Sequence, residues 1–151
     1  MIQESPTSAE LIKVKMKSPI YIWIGTIAMS IYYTWKAFDV TGSTFHLQFS
    51  TFDSSNPTMW MMSLFAVIAG LLAWLIPAYM LRLGSTQGPR LSIRFVAFVL
   101  RLALIGSINL YGLVLAVTTK DANVILPFTI MSLLGYIRSY PQPKTFGFDL
   151  A

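Results

Sequence analysis

Few side chains in this sequence can carry out chemistry, and they do not form a catalytic or metal-binding pattern. The chain has a single histidine, His46, and no cysteine, so the usual nitrogen and sulfur ligands of a protein metal site are not available. One imidazole can still be the axial ligand of a haem or a chlorophyll, because the macrocycle supplies the other ligands. The apolar residues of TFHLQF around His46 are compatible with such a pigment contact, and an ordinary loop histidine is the alternative interpretation.

The carboxylates do not indicate an active site either. Asp39, Asp53 and Asp121 lie in polar segments beside apolar runs, and Asp53 is well placed to cap a helix that begins near Thr58. The sequence has no phosphate-binding loop, no nucleophile elbow, no zinc-protease motif and no dinucleotide-binding fingerprint. We therefore expect neither an enzyme nor a bound metal.

The composition indicates a membrane protein. Of the 151 residues, 55% are hydrophobic and only 11% are charged, whereas soluble domains carry about 25% charged residues. The net charge is +5, but the basic residues stand at the ends of apolar runs, which is typical of membrane topology signals. Nucleic-acid binding needs a soluble basic face, so we expect no nucleic-acid partner.

Four apolar runs are candidates for membrane-spanning helices, because a bilayer core needs roughly 20 apolar residues with a range of about 17–25. These runs are residues 19–38, 58–83, 93–117 and 122–137. The last run is short and has Pro127 in its first turns, where a helix tolerates proline best. The predicted fold is an all-α integral membrane protein with four transmembrane helices, packed as antiparallel neighbours in an up-down arrangement.

Polar segments flank this predicted membrane domain of residues 19–138. Residues 1–18 are polar and basic, and form either a short amphipathic helix capped by Ser8 or a flexible tail. Residues 139–151 contain two prolines and three aromatic residues and should form an extended tail. Within it, Phe146 and Phe148 are suited to dock on a partner protein.

The basic residues predict the orientation of the spans. If four spans alternate, one side receives eight basic residues and the other receives only Lys36 and Lys120. The first set consists of Lys13, Lys15, Lys17, Arg82, Arg90, Arg94, Arg138 and Lys144. By the positive-inside rule both termini are expected on the cytoplasmic side, or on the equivalent side of an organelle. The expected location is a bacterial inner membrane or an organellar energy-converting membrane.

The third run carries the polar residues that most need an explanation. On a helical projection one face gathers charged, amide, apolar and small residues: Arg94, Arg101, Ile105, Ile108, Asn109 and Gly112. Such a face usually points into protein, where the polar groups find partners and the small residues permit close approach. In one interpretation Arg101 binds an anionic lipid headgroup or a partner carboxylate. In the other it turns its head towards the headgroup region, while Asn109 forms an interhelical hydrogen bond.

Part of the same run resembles a known family. LALIGSINLYGLVLA, from Leu102 to Ala116, is similar to the C-terminal helix of the c subunit of rotary ATP synthases. The matching residues are Tyr111, Gly112, Leu113, Val114 and Ala116. The ion-carrying carboxylate of that family would fall at Gly106, and the glycine-rich first helix is missing, since residues 58–83 contain only Gly70. The resemblance therefore implies, at most, a relative that does not transport ions.

From these observations we expect a non-catalytic accessory subunit of a larger membrane complex, and the resemblance suggests an energy-converting one. Its partners would be membrane lipids and other integral membrane subunits. Arg94, Arg101 and Asn109 would contact a partner or lipid, while Gly106 and Gly112 would allow close helix packing. Two alternatives remain open. The first is a small homo-oligomeric channel or carrier related to the c-type hairpin. The second is a membrane protein that binds either a lipid or a pigment, such as a chlorophyll or haem.

Overall fold

The computed structural model describes residues 8–45, 56–83 and 91–146. These residues form four α-helices: α1 (Ser8–Thr41), α2 (Pro57–Leu83), α3 (Leu91–Thr119) and α4 (Ile125–Arg138). Two short 3-10 turns, Ala122–Val124 and Pro143–Phe146, precede and follow α4. The described residues contain no β-strand, so the prediction of an all-α fold is confirmed.

Helix α1 is longer than the sequence predicts. It begins at Ser8, eleven residues before the expected start, and runs through Pro19 without a break. The basic segment is thus the first part of one 34-residue helix. Met16 gives a physical reason: it is 6% exposed and packs in a core cluster with Phe98 and Phe146. Burial of an apolar side chain this early favours helix well before the apolar run begins.

Helix α2 begins with a cap that the sequence analysis did not select. The Asn56 side-chain oxygen accepts a hydrogen bond from the backbone N–H of Thr58 at 3.0 Å. Pro57 is the first helical residue, where the missing N–H costs nothing. The expected cap, Asp53, lies outside the described residues.

Helix α3 is the centre of the bundle, because α1, α2 and α4 all pack against it. Its buried residues include Ile105, Ile108, Asn109 and Gly112, four of the residues that share one face on the helical projection. Helix α4 also packs against α1. Within the described ranges, α2 makes its main helix contacts with α3 alone. It therefore stands as an outer helix beside a three-helix core.

The turn between α3 and α4 is fixed by local chemistry. Lys120 adopts a positive φ of 58°, which reverses the chain directly after α3. The Asp121 carboxylate accepts a hydrogen bond from the backbone N–H of Asn123 at 2.9 Å and caps the first 3-10 turn. Helix α4 then begins at Ile125, with Pro127 in its first turn, as the sequence predicts.

After α4 the chain runs back along the first part of α3. The sequence analysis expects an extended tail here, but Pro143–Phe146 form a 3-10 turn. Arg94 donates hydrogen bonds to the carbonyls of Lys144 and Thr145, at 3.4 and 3.5 Å. Phe146 is 4% exposed and stacks edge-on against Phe98, with ring centroids 5.4 Å apart. The tail segment is thus part of the core of the bundle.

By length and composition, two of the described helices could cross a membrane: Pro57–Arg82 and Leu91–Thr119. The segment Ala122–Arg138 is apolar but shorter. Only 22% of the residues in the most apolar stretch of the first of these helices are buried within the chain. Helix α2 is therefore apolar on nearly every side, and most of its surface is not covered by the described part of the chain.

Candidate functional site

Four polar groups between α1, α3 and α4 are linked by hydrogen bonds. The side-chain amide of Asn109, which is fully buried, donates to the backbone carbonyl of Ser30 on α1 at 2.8 Å. Its oxygen accepts a hydrogen bond from the Thr129 hydroxyl on α4 at 2.9 Å. The Thr129 hydroxyl lies 2.7 Å from that of Thr34, again on α1. We call Thr34, Thr129, Asn109 and the Ser30 carbonyl the polar circuit.

The number of hydroxyl protons determines which group donates and which accepts in each hydrogen bond of the polar circuit. Each threonine hydroxyl has one proton to donate. Thr34 also lies within 2.9 Å of the Ser30 carbonyl, but if its proton went there, Thr129 would have to donate to Thr34 and the Asn109 oxygen would be left without a donor. The arrangement that gives the Asn109 oxygen a donor runs from Thr34 to Thr129, then to Asn109, and ends at the Ser30 carbonyl. It begins and ends on α1 and passes through α4 and α3. The Thr129 hydroxyl also lies 3.1 Å from the Ile125 carbonyl of its own helix.

Tyr136 fills the space next to Gly106. This tyrosine is 1% exposed, and its hydroxyl oxygen lies 3.0 Å from the point that a Cβ at Gly106 would occupy. The same oxygen is 3.5 Å from the Ser30 hydroxyl. The Tyr136 backbone carbonyl accepts a hydrogen bond from the Trp23 indole at 2.8 Å. Gly106 is thus a contact point between α3 and α4.

Gly112 provides the closest approach of α3 to α4. A Cβ at Gly112 would lie 2.7 Å from the Cβ of Phe128 and 3.0 Å from a side-chain carbon of Ile125. Real side chains do not come so close, so only glycine fits while the two helices keep this distance. The sequence analysis expects this packing role for both Gly106 and Gly112.

Arg101 donates a hydrogen bond from Nε to the backbone carbonyl of Ala73 on α2, at 3.2 Å. In an α-helix that carbonyl would accept from the N–H four residues later. The residue four positions after Ala73 is Pro77, which has no N–H and lies inside α2. The proline therefore leaves the Ala73 carbonyl without its helical donor, and the arginine of the neighbouring helix supplies one.

Two arginines share one aromatic ring beside this hydrogen bond. The guanidinium carbon of Arg101 lies 4.5 Å from the centre of the Trp74 ring, and that of Arg138 lies 5.2 Å from it. These distances limit the separation of the two guanidinium carbons to about 10 Å, which is within a Debye length at 0.1 M salt. The ion pair found among the described side chains is Lys36–Asp39, at the other end of the bundle. We call Trp74, Arg101 and Arg138 the Trp74 cluster.

A groove begins at the Trp74 cluster and runs between α2 and α4. It has a volume of about 420 Å³, and Trp74 and Arg138 stand at one end of it. Helices α2 and α4 both pack on α3, whereas their contact with each other is not among the main helix contacts, and the groove lies between them. Its lining is otherwise apolar and includes Val67, Leu71, Ile105, Ile108, Met131 and Leu134. We call it the outer groove.

The other residues selected from the sequence are separate from this site. Arg94 lies near the beginning of α3 and holds the tail segment through backbone carbonyls. Phe146, which the sequence analysis assigns to a partner contact, faces the core of its own chain. His46 and Phe148 lie outside the described residues. In the part of the chain that the structure describes, no group of three histidine, cysteine or acidic side chains could hold a metal ion.

The sequence analysis did not select several residues of this site, although one of them, Pro77, could have been found. Ser30, Thr34 and Thr129 are common helix residues, and only the rotation of the helices brings them to Asn109. Pro77 did carry a signal, because a proline inside a helix always leaves the carbonyl four residues earlier without a donor. An arginine on the neighbouring helix, such as Arg101, is a suitable donor for it.

Comparison with models of known protein families gives no match, and neither curated proteins nor solved structures show a significant similarity to this chain.

The double-mutant cycle of Arg101→Met and Pro77→Ala tests the carbonyl contact. Arg101→Met should lower the free energy of unfolding by about 1–3 kcal/mol, because it leaves a buried carbonyl unpaired. With Pro77→Ala the backbone N–H at position 77 can bond to the Ala73 carbonyl, so the same arginine substitution should then cost less than about 1 kcal/mol. Unfolding of the purified chain in detergent, followed by circular dichroism, measures both. Equal costs in the two backgrounds would contradict the assignment.

Asn109→Leu tests the polar circuit. The substitution keeps the number and branching of the side-chain heavy atoms but removes two interhelical hydrogen bonds, and a buried hydrogen bond contributes about 0.5–1.5 kcal/mol. We expect a loss of about 1–3 kcal/mol in the same unfolding measurement. Ser107→Ala is the matched control on α3, because the Ser107 hydroxyl bonds only to the Leu104 carbonyl of its own helix. If both variants lose the same stability, Asn109 does not join the helices as described.

Proposed function

We propose that this protein is a multi-pass membrane protein with four spanning helices, and that it serves as a non-catalytic accessory subunit in a larger membrane complex. The observation that carries the proposal is helix α2. It is apolar throughout, it packs mainly on α3, and most of its surface remains uncovered. Side chains such as Leu64, Leu71 and Leu75 are about 60% exposed. Lipid and neighbouring subunits are the surroundings in which such a helix is stable.

The dimensions of the bundle support a position across the bilayer. From Arg101 to Thr119 on α3 the helix rises by about 27 Å, and from Trp23 to Thr41 on α1 it rises by the same length. This matches a hydrocarbon core about 30 Å thick. The contacts of Trp23 with Tyr136, and of Trp74 with Arg101 and Arg138, bring these residues to one level. Tryptophan, tyrosine and arginine at one level are typical of a membrane interface.

In this setting Arg101 lies at the boundary of the hydrocarbon core. The sequence alone suggests a deeper position, because it begins the third span at about residue 93. Helix α4, however, ends at Arg138, level with Arg101, so the slab shared by all four helices begins there. The first ten residues of α3, from Leu91, would then project about 15 Å beyond that boundary. The cost of placing an arginine at this depth is small compared with that at the bilayer centre.

The polar circuit supports a structural role for the bundle. Its hydroxyl and amide groups are paired with one another across α1, α3 and α4, and Tyr136 closes the space beside Gly106. Helices joined in this way form a rigid unit. A rigid core with an apolar outer helix is suited to a structural subunit that packs beside other subunits. That the complex is an energy-converting one rests on the resemblance of residues 102–116 to a c subunit helix.

Single-cysteine variants test the membrane topology, since the chain has no cysteine of its own. A membrane-impermeant maleimide applied to oriented vesicles should label Gln142→Cys from the cytoplasmic side only and Lys120→Cys from the opposite side only. Leu64→Cys lies on the exposed face of α2 and should be labelled only after denaturation, because lipid or protein covers it. Rapid labelling of Leu64→Cys in intact vesicles would contradict the membrane location.

Native purification tests the accessory role. The tagged full chain is extracted from its source membrane in a mild detergent, and the mass and composition of the particle are determined. We expect a large particle that contains this chain in a fixed ratio to other integral membrane proteins. A particle that contains only copies of this chain would overturn the accessory role and favour the homo-oligomeric alternative. Absorption of visible light by the pure particle would instead support the pigment-binding alternative.

A further inference from the structure

We infer that the Trp74 cluster and the outer groove together form a binding site for one anionic phospholipid. The inference rests on the membrane location proposed above and assigns a ligand class to a defined site. The headgroup phosphate would lie at Arg101 and Arg138, and one acyl chain would lie in the groove between α2 and α4.

The two positive charges of the Trp74 cluster favour the binding of an anion. Two guanidinium groups lie over one indole ring, and neither forms an ion pair with a carboxylate among the described side chains. Only Nε of Arg101 is used in the bond to the Ala73 carbonyl, so its terminal amino groups remain available to a ligand. Guanidinium groups present several N–H donors in a geometry that fits phosphate oxygens. A phosphate between the two arginines would replace their mutual repulsion with attraction to a shared anion.

The groove beside the cluster has the shape and polarity that an acyl chain needs. On α2 it extends from Trp74 to Val67 and on α4 from Arg138 to Met131, which is about 10 Å along each helix axis. Its floor consists of Ile105 and Ile108 on α3. The charged end of the groove and its apolar length are continuous, which suits a ligand that is itself charged at one end and apolar along the rest.

The depth of the site selects a lipid over a protein carboxylate as the occupant. The cluster lies at the proposed boundary of the hydrocarbon core, on the side that carries most of the basic residues. Phospholipid phosphates are found at this level, and basic pockets between transmembrane helices on this side bind acidic headgroups. Gly70 strengthens the argument, because it lines the groove and keeps it open where a larger residue would fill it.

Native mass spectrometry of the purified full chain tests the site. The protein is titrated with phosphatidylglycerol and with phosphatidylcholine that carry the same acyl chains. The wild-type chain should retain one phosphatidylglycerol at a concentration about tenfold lower than that needed for phosphatidylcholine, given two arginines at the headgroup. Arg138→Gln should reduce this preference about fivefold. Lys17→Gln removes a positive charge at an exposed position of α1 outside the site and should leave the preference unchanged.

Gly70→Leu tests the groove separately from the charges. A Cβ at Gly70 would meet only the end of the Ile108 side chain, at 3.8 Å, so the added side chain can enter the groove without displacing the backbone. We expect this variant to lose the retained molecule of either lipid. Arg138 lies at the exposed end of α4, so Arg138→Gln remains a valid test of the headgroup contact even if Gly70→Leu does not fold.

Three results would overturn the inference. The first is equal retention of the two lipids by the wild-type chain, and the second is an equal effect of Arg138→Gln and Lys17→Gln. The third is displacement of phosphatidylglycerol by soluble glycerophosphoglycerol at equal concentration, which would indicate a site for free phosphate esters and no role for the groove. Because the cysteine labelling measures membrane insertion without reference to lipid binding, failure of this inference can be told apart from failure of the proposed function.

Discussion

The arrangement of this bundle depends on one constraint: the side-chain amide of Asn109 is fully buried and must be hydrogen-bonded on both its nitrogen and its oxygen. A buried polar group without a partner destabilises a fold by as much as several hydrogen bonds stabilise it. The nitrogen finds a carbonyl on α1 and the oxygen finds a hydroxyl on α4. Both bonds together fix the rotation of three helices about their axes, and the packing of Tyr136, Gly106 and Gly112 follows from that rotation.

The outer helix obeys a second constraint of the same kind. Pro77 leaves a carbonyl of α2 without a donor, and Arg101 of α3 supplies the missing hydrogen bond. The two helices are thus joined at one level by a polar bond and along the rest of their length by apolar contact. Because α2 packs mainly on α3, a groove remains between α2 and α4. Pro77 therefore explains the position of Arg101. The packing of α2 mainly on α3 explains the groove beside it.

Features that depend on the spacing of apolar residues along the chain could be predicted from the sequence. Features that depend on which residues of different helices come into contact could not. The positions of α2, α3 and α4 and the buried face around Ile105, Asn109 and Gly112 can be read from apolar runs and a helical projection. The partners of Asn109 could not be read in this way, since they depend on how far one helix slides and turns against another. The early start of α1 and the burial of Phe146 have the same origin. Met16, Phe98 and Phe146 are far apart in the sequence and stabilise one another only once the helices have met.

The order of the polar circuit along the chain has a consequence for synthesis. The circuit needs Thr34, Asn109 and Thr129, and the last of these lies in the final helix, twenty residues after the asparagine. At about 5–20 residues per second, the ribosome requires roughly 1–4 s to make that interval. During this time the asparagine of a nascent α3 has no threonine to accept from. The Asn109 oxygen can therefore gain its Thr129 donor only after α4 has been made, so the polar circuit is completed late in synthesis.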